Sequence, residues 1–369
     1  MMKKNIALKV RIYPNKQQKI MIDKTFGCNR YMYNHLLAMY NETGKVENYT
    51  KIYNEDNKWL LESDTSSYAN TRLNLKKAID NHYKNPSHFG LPIYKSKHSK
   101  KQSFSTSVTN NNSRVIDNKH IRLPKVGILN AKVHRMFSSD YKLKSVTISR
   151  ESDYKYYASL LYEYEIELVE DQTDKPFTFM VGIDYSQDYF GVLSNGRFIS
   201  YPKYLINNME KLILLQEKLS RCTPYSNNWY KRKKDLARLH IKIRNQRKDF
   251  INKLAKEMSD SFDIVAVENL NLQEMSKNNH LGKKIYDNSF GMFITKLSYK
   301  LEQGGKRLIK VDKYYPSSKR CSNCGNIKKG LKLSDRTYTC NCGNIIDRDY
   351  NASLNIAMEG LRLLREETI

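Results

Sequence analysis

The spacing of apolar positions changes several times along the first half of the chain. Residues 8–14 alternate apolar and polar side chains and stop at Pro14-Asn15, which predicts a strand. From about residue 16 to 40 the spacing becomes helical, with Ile20, Ile22, Phe26, Tyr31, Tyr33 and Leu37 as apolar positions. Tyr68, Leu73, Leu75, Ala78 and Ile79 predict a second helix over 67–83. Short alternating pieces at 102–108, 120–123 and 132–136 predict strands, and 145–150 with 156–165 a β-hairpin. This half therefore reads as a small β-structure carrying a helical insertion.

In the second half, the run 177–183 predicts a strand ending at Asp184. A hairpin over 189–193 and 197–201 follows, and Asn195-Gly196 predicts a type I′ turn. Helical spacing covers 206–220 and 227–261, then a buried strand over 263–267 ends at Glu268. A helix over 289–303 stops at Gly304-Gly305, a strand covers 307–311, and a last helix runs over 348–365. The fold class is α/β plus a small β-structure, without a long internal repeat.

At ~150 residues per domain, 369 residues make two or three domains. Acids run unbroken by any base from Glu163 to Asp174, which places a boundary near Lys175-Pro176. Charge narrows the function. Lys and Arg number 64 against 38 Asp and Glu, a net +26 on a chain that is 40% apolar. Such a chain folds, which excludes a disordered basic tail, and its charge calls for a polyanionic partner, nucleic acid before an anionic membrane. No apolar run approaches the ~18–20 residues that span a bilayer, and Lys3, Lys4, Lys9 and Arg11 leave no signal-peptide core between them. A cytoplasmic protein with no membrane partner is expected. The 27 Tyr could stack on bases, or reflect only a biased composition.

Three acids stand where a fold displays chemistry: Asp184 and Glu268 at strand ends, and Asp349 at the start of the final helix. Singly, each reads more readily as a turn or capping residue. Together, carboxylates repel unless cations lie between them, and hard divalent ions such as Mg²⁺ take oxygen ligands. The order strand-Asp, hairpin, helices, strand-Glu, Asp-led helix matches a ribonuclease-H-like nuclease layout. Cys321 and Cys324 form a CxxCG knuckle, and Cys340 and Cys342 a CxC pair. Four thiolates at this spacing suit one structural Zn²⁺, the alternative being four reduced, metal-free cysteines. Arg244, Arg247 and Lys248 share one face of a helix whose residues 229–256 hold eleven Lys/Arg and two Asp. Contact with nucleic-acid backbone is expected there, a merely solvated face being the alternative.

These motifs sum to a family. Gly182-Ile183-Asp184, the run Ile264 to Leu270, the stretch Pro316 to Gly325 and the stretch Cys342 to Ser353 resemble the transposon-associated TnpB (OrfB) proteins, compact relatives of type V CRISPR effector nucleases. Residues 9–14 and 121–127 also resemble that family, so the likeness covers nearly the whole chain. It implies an RNA-guided DNA endonuclease. Residues 1–175 would be a wedge-like β-barrel with a helical recognition insertion at about 16–100, holding RNA and reading a short motif beside the target. Residues 176–312 and 346–369 would form an RNase H-like (RuvC) nuclease domain, interrupted by a zinc ribbon over 313–345. The implied partners are a guide RNA from the transposon end and double-stranded target DNA, with a monomer on one RNA favoured. The implied cofactors are two Mg²⁺ and one Zn²⁺. The implied catalytic acids are Asp184, Glu268 and Asp349, with Asp347 competing for the last role. Asp349 is favoured by its match to the family's D-x-N-A. A bacterial, nucleoid-associated location follows. A cleavage-deficient RNA-guided repressor is the alternative function.

Overall fold

The computed structural model describes residues 2–53, 55–99, 102–166, 179–186, 189–277, 282–332 and 335–367. Alternation in the first strand continues beyond the predicted segment, and β1 covers Met2–Tyr13. Pro14 ends it, and Asn15 starts α1 (Lys16–Thr43) with a capping box in which the Asn15 side chain accepts from the Gln18 N–H and the Gln18 side chain accepts from the Asn15 N–H. Gly44, at φ 69°, closes the helix in the left-handed conformation.

The chain divides into two compact units, residues 1–169 and 170–369. In the first, α2 (Ser66–Lys84) follows α1, then β2 (Gln102–Ser107), β3 (Arg114–Val115), β4 (His120–Leu123), β5 (Gly127–Lys132), β6 (Lys142–Arg150) and β7 (Tyr156–Ile166). All pairings are antiparallel, in the order β2-β6-β7-β1-β5-β4-β3. The strands form one seven-stranded sheet, and no ladder joins β2 to β3 among the described residues. Leu8, Val10, Ile12, Leu129, Ile148 and Leu160 lie in its core. The insertion has a core of its own, including Met32, Leu36, Leu60, Tyr68 and Leu75. The strand expected over 132–136 lies earlier in the chain, as β5, and ends at Lys132, which pairs with Arg11, while the β4 ladder has already ended at Asn130 opposite His120. The expected boundary at Lys175-Pro176 lies outside the described residues, as do most of the acidic run and Phe177-Thr178.

The second unit contains β8 (Met180–Asp184), β9 (Gly191–Leu193), β10 (Phe198–Ile199), α3 (Met209–Ser220), α4 (Asn227–Ser261) and β11 (Ile264–Glu268). After these come α5 (Leu272–Ser276), α6 (Gly282–Asn288), α7 (Phe290–Gln303), β12 (Arg307–Val311), β13 (Thr337–Thr339), β14 (Ile345–Asp347) and α8 (Arg348–Glu367). The five-stranded sheet has the order β10-β9-β8-β11-β12. β10, β9 and β8 are antiparallel neighbours, while β8, β11 and β12 run parallel.

The turn between β9 and β10 differs from the expected type I′. Gly196 alone takes positive φ (84°), Gly196 N–H donates to Leu193 O, and Leu193 N–H to Arg197 O. This is a three-residue loop in which glycine supplies the bulge. Both sheet faces are covered. Val181, Ile183, Val265 and Val267 pack in one core with Ile251 and Leu254 of α4 and Phe293 and Leu297 of α7. Ile264 and Ala266 point the other way, into a core with Ile356 of α8. A strand buried on both faces has no polar alternation to show, which is why β11 reads as a continuous apolar run.

Two glycines set the seat of α8. A Cβ on Gly182 would collide with Ser353 O and lie 2.6 Å from Ala357 N. On the helix side, a Cβ on Gly360 would lie 2.6 Å from Ala266 Cβ. The helix that carries Asp349 is thus in backbone contact with the strand that carries Asp184.

Candidate active site and metal centre

Parallel pairing brings the first two acids together. Val267 is in register with Ile183, so Glu268 and Asp184, one residue further on, end neighbouring strands about 4.8 Å apart. The third acid comes from the first turn of α8. All three line one cavity of about 840 Å³, whose rim includes Lys313, Lys319, Lys332 and Arg336. Burial raises the Asp184 carboxyl well above the ordinary 3.8. The charges of Asp349 and Glu268 push the same way, against the opposing pull of Arg348. Burial pushes Glu268 up to about 7.

Asp349 is held from both sides. The buried Ser186 hydroxyl donates to its Oδ2 at 2.9 Å, and Arg348 Nη2 lies 3.1 Å from Oδ1. Arg336 Nη1 is 3.8 Å from Oδ2. Asp347 is used differently. It is exposed, accepts the Tyr350 N–H at 2.9 Å and caps α8. Neither Ser186 nor Arg348 was assigned a role from the sequence. Each is an isolated polar residue beside an acid, and no spacing rule marks such a neighbour.

The four cysteines meet. Their sulfurs lie within 4.8 Å of one another, the one such group of three or more metal-type ligands among the described residues. Gly325 and Gly343 take φ of 76° and 87°, and their N–H groups donate to Cys321 O and Cys340 O, closing two tight knuckles. The shorter CxC pair therefore reaches the same cluster as CxxC. Burial works to raise the Cys321 thiol, but the backbone N–H groups of Cys324 and Asn323 and the Asn344 amide outweigh it and bring it to about 6. The donor set is soft, tetradentate and closed, as structural zinc requires.

The basic helix gives a divided answer. Arg244 and Lys248 are exposed on α4. Arg247 is buried, with Nε 3.2 Å from Asp287 Oδ1 and its guanidinium over the Tyr286 ring. Asp287 also accepts from the Leu205 and Ile206 N–H groups and from the Tyr201 hydroxyl. Contrary to the outward face expected for it, Arg247 is committed to this interior junction. Charge spacing on a helix gives no sign of an acid forty residues away.

A family model described as "Probable transposase" matches residues 160–279, and one described as "Cas12f1-like, TNB domain" matches 290–356. A "Putative RNA-guided DNA endonuclease" of Streptomyces pristinaespiralis is 30% identical over 370 residues, covering 96% of this chain and 89% of its own. The chain belongs to the TnpB (OrfB) family. A "Putative RNA-guided DNA endonuclease InsQ" of Escherichia coli K12 is 27% identical, covering 98% of this chain and 94% of its own. Among solved structures, a Cas12f1–sgRNA–target DNA complex aligns with a TM-score of 0.57 at 16% identity, over 96% of this chain and 98% of that one, and shares the fold. A third family model, described as "Helix-turn-helix domain", matches residues 1–47. In this TnpB chain that segment is β1 followed by the single helix α1. No helix among the described residues is long and apolar enough to cross a membrane.

Proposed function

We propose that this protein is an RNA-guided DNA endonuclease whose nuclease domain has the RNase H-like (RuvC) fold. On this reading Asp184, Glu268 and Asp349 hold two Mg²⁺, the four cysteines hold one Zn²⁺, and a guide RNA from the transposon end selects the target. The convergence of three acids from β8, β11 and α8 on one cavity rimmed with lysine and arginine carries the reading. The donors fit hard divalent cations. They are all carboxylate oxygens, and burial, joined at Asp184 by repulsion from Asp349 and Glu268, leaves Asp184 and Glu268 reluctant to ionise until a cation arrives. Two such ions held by Asp184, Glu268 and Asp349 would supply a lowered pKa for an attacking water and offset charge on the leaving oxygen of a phosphodiester.

The chain's own residues do the rest. Lys313, Lys319, Lys332 and Arg336 attract the strand's phosphates to the cavity mouth. Ser186 keeps one oxygen of Asp349 oriented by donating to it. Guide pairing supplies sequence selection, so the protein needs only a basic channel and a small duplex-reading patch.

The test uses protein co-expressed with its flanking genomic DNA, so that it carries its own RNA. Mg²⁺ and a target library with randomised flanks are then added. Guide-dependent cutting is expected, and Asp184→Ala should bind the target without cutting it. A mutant that cuts at the wild-type rate would remove Asp184 from the mechanism, and binding without cutting by the wild type would favour the repressor. In Cys321→Ser, elemental analysis should find the zinc lost. Full zinc content would overturn the four-cysteine assignment.

A further inference from the structure

Between the cysteine cluster and Asp349 stand two carboxamides that the nuclease reading leaves unused. Asn351 and Asn355 lie one turn apart on α8, both fully buried. Asn351 Nδ2 donates to Arg320 O at 2.7 Å, and its Oδ1 accepts the Ser322 N–H at 3.0 Å. Asn355 Nδ2 donates to the same Arg320 O at 2.6 Å and to Ser317 O at 2.7 Å. Arg320 and Ser322 flank Cys321, the buried thiol of the cluster. Among the described residues Asn355 Oδ1 is buried without a partner, so this side chain is held through its N–H side alone.

A second connection runs parallel to the first. β13 pairs with β14, which passes directly from Asp347 into α8 at Arg348, and Arg348 N–H donates to Arg336 O at 2.8 Å. The buried Tyr338 of β13 donates its hydroxyl to Lys319 O at 3.1 Å. The first turn of α8 is therefore tied at several points to the loop carrying Cys321.

Asparagines that merely satisfy loop carbonyls are common. Here, however, the bonds of Asn351 fall on the two residues bracketing a metal ligand, and they start two residues from Asp349. The Gly182 contact fixes how near α8 lies to β8, and the carboxamides fix its first turn against the ribbon.

We propose that Asn351 and Asn355 are positioning residues that latch α8 to the zinc knuckle, so that filling the four-cysteine centre sets where Asp349 presents its carboxylate. The inference rests on the proposed roles of the acids and the cysteines. An emptied knuckle releases Arg320 O and Ser322 N–H, and with them the first turn of α8.

The test compares full-length wild type with Asn351→Ala, Asn355→Ala and Asp184→Ala, each with and without its zinc. Zinc release to a chromogenic chelator is timed, and Mn²⁺ binding is followed by electron paramagnetic resonance. The site of interest is the Mn²⁺ binding that Asp184→Ala abolishes. Both asparagine variants should release zinc about 10-fold faster and bind that Mn²⁺ about 10-fold more weakly, the usual scale for an outer-shell partner. Zinc-free wild type should show the same weakening, and stripping zinc from Asn351→Ala should add nothing to it. Faster zinc release with unchanged Mn²⁺ affinity would overturn the latch and leave two loop staples. Additive losses would overturn it as well, by making the two centres independent. Wild type indistinguishable from Asp184→Ala would instead reject the acid site itself, and the latch with it.

Discussion

Two aspartates two residues apart, Asp347 and Asp349, show how differently one side chain can be used. Asp347 is exposed and spends its carboxylate on a backbone N–H, while Asp349 faces the cavity between Ser186 and Arg348. The charge state of that cavity leads to a measurable pH effect. Burial holds Glu268 up at about 7 against an ordinary 4.5, and Asp184 is raised in the same direction. A carboxyl whose pKa is raised by folding contributes stability that is full below its unfolded pKa and is lost as the pH rises through the folded one. The metal-free protein should therefore lose melting temperature between pH 5 and 8. Mg²⁺, favouring the ionised acids, should raise it more at pH 8 than at pH 5. Differential scanning fluorimetry with Mg²⁺ or a chelator checks this, and an equal Mg²⁺ effect at both pH values would mean that these carboxyls are not its ligands.

At the scale of elements, the site depends on how closely α8 lies on the sheet. Gly182 stands in the strand ending at Asp184, and any Cβ there meets helix backbone, which cannot rotate away as a side chain would. Gly182→Ala should destabilise the protein by roughly 1–3 kcal/mol, the usual cost of overpacking a well-filled core. Chemical denaturation measures this directly, and a change below about 0.5 kcal/mol, ordinary for a surface substitution, would show that α8 is free to shift. Glycine is therefore needed in this Gly-Ile-Asp stretch for closeness of packing and not for turn geometry, since Gly182 has no positive φ. The sequence motif carried no hint of which of the two it was.

At the scale of the molecule, net charge predicts salt-dependent nucleic-acid binding, and on the proposed reading exposed cations would carry it. Arg244 and Lys248 are exposed on α4, whereas Arg247 is paired with the buried Asp287. Replacing Arg244 and Lys248 together by Gln should flatten the slope of log affinity against log salt by about 1–2, since each phosphate contact contributes roughly 0.7–0.9. Arg247→Ala should leave that slope unchanged and cost stability instead, about 3–5 kcal/mol, because Asp287 would remain buried without its countercharge. Filter binding over a salt series, alongside denaturation, distinguishes the two classes. An Arg247 variant with a flattened slope and full stability would reverse the assignment.

Most of the elements were legible in the amino-acid order alone. Period, caps and terminators are local properties, so β4, α4 and β12 fall where their patterns put them. The cysteine spacing was equally legible, because a knuckle needs only a few residues and a glycine to bend. That Asp184, Glu268 and Asp349 belong together was readable from the order of elements and from family resemblance, and from no spacing rule. Their spacing of eighty residues and more has no period, and only the parallel register of β8 with β11 and the glycine seat of α8 brings them to one cavity. Three further features emerge only on folding: β5 stops at Lys132, Arg247 turns inward, and Asn351 grips the cysteine loop. Each depends on a partner distant in the chain, and long-range pairing leaves no mark on local alternation.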